Sequence, residues 1–311
     1  MPELEPDQQP VATLEQVSIR YGAQEALRSV TATFLPGAVG LLGPNGSGKS
    51  SMLKGLLGFV KPTSGRLRVL GLDVDSSPLK IRARLGYMPE TDGHIPGMNA
   101  VSFVAYCGQL SGLPRADATQ RAHEVLYYVG LGEARYRNIE TYSTGMKQRI
   151  KLAQALVHDP DLLFLDEPTN GMDPKGREEM LDLVTDLATR KGVNLVLSSH
   201  LLPDVEETCE RVIVLHQGAV ATEGAIAELK QRRPQVFEMR IKGDLETFTR
   251  ALEAIGAECH GAENGIMRVL VRGGLGPRDL FGVAARHQVQ VRHLRPSVPT
   301  LEDVFAEAVG E

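Results

Sequence analysis

The chain has 311 residues, a length that corresponds to about two domains. Its 34 basic and 39 acidic residues give a formal charge of −5, which excludes the general basic excess of a protein that coats nucleic acid, so no nucleic-acid partner is expected. Its apolar runs fall far short of the ~18 residues needed to cross a bilayer. Three scattered cysteines exclude a disulfide framework and a CxxC metal site, and they favour a reducing, cytoplasmic location.

The first predicted domain covers residues 13–232. Residues 1–12, rich in proline and acidic residues, are predicted to be a flexible tail. Beyond them, short apolar runs alternate with helical stretches, which predicts an α/β fold with a parallel-core sheet. Helical spacing replaces the strand pattern within about 98–158, which indicates a helical insertion. The predicted strands are 14–20, 39–42, 85–88, 162–165 and 193–198.

A second domain is predicted for residues 235–311, because a charged helix end meets Pro234. Its pattern of strand, helix, two strands, helix and strand predicts a small α+β accessory domain of the ferredoxin-like type, with a turn at Asn264 and Gly265. Residues 268–295 contain six arginines and one acidic residue. This basic strip is interpreted as a solvated face, with an acidic partner or lipid headgroups as the alternative.

A phosphate-binding loop lies between the predicted strand at 39–42 and the helix that follows it. It satisfies the pattern GxxxxGK[ST], in which glycines let backbone N–H groups approach phosphate oxygens. Lys49 would supply a charge for the β- and γ-phosphates, and the Ser50 hydroxyl would reach Mg²⁺. The predicted nucleotide-binding residues are Gly43, Pro44, Asn45, Gly46, Ser47, Gly48, Lys49, Ser50 and Ser51.

Two carboxylates follow the apolar strand at 162–165. At the carboxyl end of a buried strand, Asp166 is the natural partner of Mg²⁺. Because Pro168 interrupts the strand, the chain is expected to turn there and leave Glu167 free to polarise an attacking water as a general base.

The segment at 142–149, which runs Tyr-Ser-Thr-Gly-Met-Lys-Gln-Arg, resembles the LSGGQ-like signature of the ATP-binding subunit of ABC transporters. Ser143 and Gly145 match the serine and second glycine of that signature, whereas Tyr142, Thr144 and Met146 depart from its commonest form. The resemblance implies that Ser143 and Gly145 bind the γ-phosphate of ATP held by the other protomer of a dimer. An ordinary serine N-cap is the simpler interpretation of the segment taken alone.

Further matches follow in the family's order over about residues 13–230. Tyr21 lies where the family carries an aromatic that stacks on adenine, and residues 170–173 resemble the loop that couples the two sites. His200 resembles the histidine that contacts the γ-phosphate and catalytic water. Glu90 stands where many members have glutamine, so its contact with the metal is an open question. The resemblance implies ATP and Mg²⁺ as cofactors, Glu167 and His200 as catalytic residues, and Ser50, Asp166 and Glu90 as metal-site residues.

The C-terminal segment at 300–305 resembles the ending of ATPase subunits of export-type systems, although it also reads as an amphipathic helix start. The expected protein is therefore a transport motor that dimerises, as a homodimer or with a paired ATPase subunit. It would sit on the inner face of the membrane through separate permease subunits. Residues 90–110 are predicted to receive a permease helix, with Phe103 and Tyr106 either as anchors or in the insertion's own core. The alternatives are a soluble ABC-type ATPase acting on a ribosome or nucleic-acid complex and a non-hydrolysing nucleotide binder.

Overall fold

The computed structural model describes residues 9–231, 235–263, 266–271, 275–297 and 300–309, so most of the predicted tail lies outside the described residues. Val11 and Ala12, the end of that predicted tail, are buried, and the first strand begins at Ala12. The chain divides into two compact units. The first runs to Ile226 and also takes in Ala308 and Val309 near the end of the chain, and the second covers Ala227–Glu307.

The first unit contains ten strands and seven α-helices among its described residues. The strands are β1 (Ala12–Tyr21), β2 (Gln24–Phe34), β3 (Ala38–Leu42), β4 (Ser64–Val69), β5 (Leu72–Asp73), β6 (Leu85–Met88), β7 (Leu162–Asp166), β8 (Asn194–Ser199), β9 (Arg211–His216) and β10 (Ala219–Ala225). The helices are α1 (Lys49–Leu56), α2 (Pro78–Arg82), α3 (Ala100–Leu110), α4 (Arg115–Tyr128), α5 (Thr144–Leu156), α6 (Pro174–Thr189) and α7 (Leu202–Thr208).

The central sheet confirms the predicted α/β fold with a parallel core. Its strand order is β10-β9-β3-β8-β7-β6, and every neighbouring pair except β10 with β9 is parallel. All residues of β3 and β7 are buried, as expected of parallel strands covered on both faces. Because parallel strands end at the same edge, the loops after β3, β6, β7 and β8 converge there.

Several strands escaped the sequence prediction. A second sheet, antiparallel in the order β2-β1-β4-β5, packs into the same hydrophobic core as β3 and α1. In β2, Leu27, Val30, Ala32 and Phe34 are buried between more exposed neighbours, a pattern typical of a half-buried strand. The buried run of β9 resembles those of β3 and β7, so its strand signal was equally strong.

The predicted helical insertion consists of α3, α4 and α5 with two short 3₁₀ turns between α4 and α5. Phe103 on α3 is only 3% exposed and packs edge-to-face against His94, with ring centroids 5.3 Å apart. The role of Phe103 as a permease anchor is therefore wrong, because its side chain belongs to the insertion's core. Tyr106 lies on another face of α3 and remains 42% exposed.

The second unit has the topology predicted for a ferredoxin-like domain. Its four-stranded sheet has the order β12-β13-β11-β14, and the pairs β11–β13, β11–β14 and β12–β13 are antiparallel. The predicted turn at Asn264 and Gly265 lies outside the described residues. The elements are α8 (Ile226–Gln231), β11 (Gln235–Lys242), α9 (Leu245–Glu253), β12 (Glu258–Glu263), β13 (Ile266–Val271), α10 (Pro277–Arg286), β14 (Gln290–Ser297) and α11 (Leu301–Val309).

The fold splits the basic strip between elements. Arg268 on β13 and Arg295 on β14 flank Glu238, with Arg295 Nη2 lying 3.0 Å from a Glu238 carboxylate oxygen. Arg278 and Arg286 lie instead on α10. At the start of α11, Thr300 N donates to Asp303 Oδ2 and Asp303 N donates back to Thr300 Oγ1, which is the helix start indicated by the sequence.

Candidate functional site

The phosphate-binding loop connects β3 to α1, in the strand-to-helix context that the sequence predicted. Gly48 precedes α1 with a φ of 110°, and a Cβ there would lie 2.7 Å from the Ala26 carbonyl oxygen. A Cβ at Gly43 would collide with the Leu215 carbonyl oxygen and with Ser47 Oγ. Both positions therefore require glycine. Pro44, Asn45 and Gly46, which lie between them, are exposed and accessible to an anion.

Lys49 reaches back over this loop. Its Nζ donates to the carbonyl oxygen of Gly43 at 2.6 Å and to that of Pro44 at 3.3 Å. Burial lowers the pKa of Lys49, and the charges of Glu167 and Asp166 oppose that change. An ammonium group held beside the loop is suited to bind phosphate oxygens as a point charge.

The two carboxylates at the end of β7 are both buried. Burial raises the pKa of Asp166 and of Glu167, and the hydrogen bond from His200 opposes the rise at Glu167. His200 Nδ1 lies 2.8 Å from Glu167 Oε2. A carboxylate with a raised pKa, held by a histidine, is the arrangement expected of a general base.

Glu167 itself adopts a left-handed backbone conformation, with a φ of 52°. Its N–H donates to the Ser198 carbonyl oxygen on the neighbouring strand at 2.9 Å. A non-glycine residue keeps such a conformation only when its surroundings determine it, and such residues cluster at functional sites. The turn expected at Pro168 is thus present, and it is made at Glu167.

One cavity of about 940 Å³ brings together most of the predicted site. The predicted residues that line it are Tyr21, Asn45, Gly46, Ser47, Gly48, Lys49, Ser50, Ser51, Glu90, Asp166, Glu167 and His200. Gly43 and Pro44 build the loop beneath Lys49 without lining the cavity.

Some residues that line the cavity were not predicted from the sequence. Arg28 on β2 and the turn at Gln217 and Gly218 line it, and these elements are joined by a hydrogen bond from Arg28 N to the Gly218 carbonyl oxygen. Gly218 N in turn donates to the Ser47 carbonyl oxygen. A Gln-Gly pair between two apolar runs is a recognisable turn signal, whereas nothing local marked Arg28.

Tyr21 and Glu90 also line the cavity. Tyr21 is 45% exposed, so its side chain is accessible to a ligand in the cavity. The backbone carbonyl of Glu90 accepts a hydrogen bond from buried Lys151 Nζ at 2.8 Å, which fixes the loop after β6 against α5.

The signature residues Ser143 and Gly145 do not line this cavity. Ser143 is exposed and caps α5, accepting a hydrogen bond from Met146 N. Tyr142 is buried, and its hydroxyl donates to the Ala134 carbonyl oxygen at 2.7 Å. Tyr142 therefore anchors the segment in the insertion, while the start of α5 faces outward as a potential anion site.

Comparison with known proteins identifies the family. The family model described as ABC transporter matches residues 27–170. The Uncharacterized ABC transporter ATP-binding protein YxlF of Bacillus subtilis (strain 168) is 34% identical over 300 residues, which are 96% of this chain and 99% of YxlF. The chain belongs to the ABC transporter ATP-binding proteins.

Two further likenesses support this family assignment. The Linearmycin resistance ATP-binding protein LnrL of the same organism is 31% identical over 95% of this chain and 97% of LnrL. A solved dimeric structure of the ATP-binding cassette MJ0796, in a post-hydrolysis state bound to ADP and Pi, covers 69% of this chain and 98% of that cassette. Its TM-score is 0.63 and its sequence identity 26%. The chain is thus an ATP-binding subunit with ATPase activity.

No helix in the part of the chain that the structure describes is long and apolar enough to cross a membrane.

Proposed function

We propose that this ATPase is the motor of an export-type ABC transporter, that it dimerises head-to-tail around two ATP molecules, and that it drives separate membrane permease subunits. The observation that carries the proposal is that the signature residues do not line the cavity formed by the phosphate loop and the two carboxylates. Ser143 and Gly145 lie outside the cavity that Lys49, Asp166 and Glu167 line, which supports a phosphate site completed by the signature of a second copy of the chain.

The residues present fit ATP with a magnesium ion. Pro44, Asn45 and Gly46 of the loop are exposed, and within the described residues Ser47 Oγ is buried without a hydrogen-bond partner. Mg²⁺ is usually held by one or two protein oxygens together with phosphate oxygens. Ser50 and Asp166 would supply those oxygens, with Glu90 nearby, and the ion would neutralise charge that develops on the phosphates.

In this proposal the protein's own residues divide the work. Lys49 and the loop bind and orient the phosphates, and the exposed ring of Tyr21 stacks on the base. Glu167 accepts a proton from the attacking water, and His200 holds the carboxylate while contacting the γ-phosphate. Closure of the partner's Ser143 and Gly145 over the phosphates excludes water from the site.

The export direction rests on LnrL, whose name assigns it to linearmycin resistance, and on the extra C-terminal unit. A permease would bring the subunit to the inner face of the membrane. The loop after β6 and α3 is the proposed docking region, because Ile95, Tyr106 and Leu110 are exposed there. Phe103 is buried in the core of the helical insertion and is not part of the proposed docking surface.

Mixing two inactive variants tests the composite site. Lys49→Ala removes the phosphate-binding charge, and Ser143→Arg blocks the signature. A heterodimer has one site with both lesions and one with neither, so mixed subunits should recover part of the ATPase activity that each homodimer lacks.

Ser111→Arg is the matched control, because Ser111 is an exposed serine at the end of α3 that lies outside the cavity. This variant should keep its activity. Demonstrated heterodimers of Lys49→Ala and Ser143→Arg without recovered activity would contradict the composite site.

A further inference from the structure

A buried carboxylate joins three segments around the catalytic pair. Asp204 on α7 is fully buried. Its Oδ2 accepts from Thr169 Oγ1 at 2.5 Å, and its Oδ1 accepts from Arg177 Nε at 2.5 Å, with a further ion pair to Arg177 Nη2. We call Thr169, Arg177 and Asp204 the Asp204 bridge.

The bridge lies close in sequence to both members of the catalytic pair. Thr169 follows Glu167 by two residues, and Asp204 follows His200 by four. Arg177 lies in the first turn of α6, so Thr169 and Arg177 stand at the two ends of the loop at 170–173. The bridge therefore ties both ends of that loop to the helix that follows His200.

Contacts on the other side link the loop to the signature helix. Buried Gln148 on α5 donates from Nε2 to the Asn170 carbonyl oxygen at 2.8 Å. Asn170 N donates to the Glu167 carbonyl oxygen at 3.2 Å, and Met172 N to that of Thr169 at 3.2 Å. A continuous series of contacts thus runs from α5, whose start is the signature, to the strained backbone of Glu167.

The chemistry of the bridge favours a role in precision over a role in stability. A buried ion pair is often no more stabilising than apolar residues of the same volume, because two charges must lose their water. Such a pair does fix the relative position of the segments that it joins, since each carboxylate oxygen accepts from a donor on a different segment.

We propose that the Asp204 bridge positions the Glu167–His200 pair, and that it transmits the placement of the loop at 170–173 to that pair. Thr169, Arg177 and Asp204 are positioning residues, since they act through Glu167 and His200. This inference rests on the catalytic roles assigned to those two residues in the proposed function.

Two near-isosteric substitutions in the full-length protein test the bridge. Thr169→Val removes the hydroxyl that joins two segments. Thr208→Val is the matched control, because Thr208 is also a buried threonine at Asp204 but donates to its backbone carbonyl within α7. Three quantities are measured for each variant: kcat, the Kd of ATP measured without turnover, and the imidazole nitrogen NMR resonances of His200, assigned with His200→Ala.

We expect Thr169→Val to lower kcat by about tenfold or more while the Kd of ATP changes by less than about twofold, because small misplacements of reacting groups slow chemistry more than binding. The His200 resonances should move in Thr169→Val and stay in Thr208→Val. Thr169→Ser, which restores the hydroxyl, should restore both kcat and the resonances.

If Thr169→Val does not fold, Arg177→Gln takes its place, since the Arg177 side chain is one-third exposed, and the same changes are expected. Unchanged His200 resonances and wild-type kcat in the folded variant would overturn the proposal. Displaced resonances with an unchanged kcat would leave the bridge as a positioning device and would instead contradict the catalytic roles given to Glu167 and His200.

Discussion

The two units of the chain bury different kinds of side chain. The structure has eleven buried polar or charged residues among those it describes, and all of them lie between Ser47 and Thr208. They belong to the first unit, which is called the ATPase unit below. The described core of the second unit is built from apolar residues around Phe237, Phe248 and Leu280. Because burying a polar group costs free energy unless it is paired, the first unit carries a free-energy cost that the described core of the second unit avoids.

Burial shifts the pKa of three ionisable groups that line the cavity of the first unit. Burial lowers the pKa of Lys49 and raises those of Asp166 and Glu167, so in each case the surroundings disfavour the charged form. Groups perturbed by burial and gathered in one cleft are typical of a functional site. The described core of the second unit is apolar and is formed by its sheet together with helices α9 and α10.

The largest expected effect is on the stability of the apolar core of the second unit. Phe248 on α9 is fully buried, so Phe248→Ala should destabilise the second unit by about 3–5 kcal/mol. Hydrogen exchange should accelerate in residues 235–297, while the Kd of ATP stays unchanged if the ATPase unit folds without support from this core.

Phe281→Ala is the matched control, since Phe281 on α10 is 50% exposed and its removal should change stability by less than about 0.5 kcal/mol. A loss of ATP binding in folded Phe248→Ala, but not in Phe281→Ala, would contradict the division of roles between the units.

The next effect concerns chemistry in the ATPase unit. Glu167→Gln keeps the shape of the side chain but removes the proposed base, so turnover should fall by about 10²-fold or more while ATP binding persists. ATP-bound dimers should accumulate, which size-exclusion chromatography with ATP would detect.

Glu178→Gln provides the comparison, because Glu178 is an exposed glutamate on α6 that does not line the cavity. Its turnover should match the wild type. Near-normal hydrolysis by purified Glu167→Gln would exclude Glu167 as the base.

A smaller effect is expected in the pH dependence of turnover. In the proposed function Glu167 acts as a base only when ionised. Burial raises its pKa, while the hydrogen bond from His200 opposes that rise. Removing the imidazole with His200→Ala should therefore raise the pKa of Glu167 further. The acid limb of the residual kcat profile should move to higher pH.

His287→Ala removes an exposed histidine of the second unit and should leave the limb in place. An acid limb that is unmoved in His200→Ala would contradict the coupling between His200 and Glu167.

Local sequence signals were enough to predict the phosphate loop and the parallel core. The loop requires glycines at fixed spacing between a strand and a helix, and each of these features can be recognised from residues that are adjacent in the sequence. The same holds for β3, predicted as 39–42 and observed as Ala38–Leu42, and for the strand and helix order of the second unit.

Features that depend on distant partners could not be predicted in this way. The left-handed conformation of Glu167 depends on Ser198, on another strand, and the Asp204 bridge joins residues separated by up to 35 positions. Phe103 and Tyr106 are three residues apart on one helix, yet only packing with His94 shows which of them is core. Strand β2 was not predicted, although the alternation of its apolar and polar residues can be recognised in the sequence.

Thermal unfolding of ligand-free Glu167→Gln beside the wild type tests most directly whether the ATPase unit holds the charged Glu167 carboxylate at the expense of stability. Since burial raises the pKa of Glu167 in the folded state, its ionisation opposes folding as the pH rises through that pKa. The variant should therefore melt at a higher temperature than the wild type at pH 7 to 8, and the gap should narrow as the pH falls toward the ordinary pKa of a glutamate. A wild type that is the more stable protein at neutral pH, or a gap that is independent of pH, would contradict the claim.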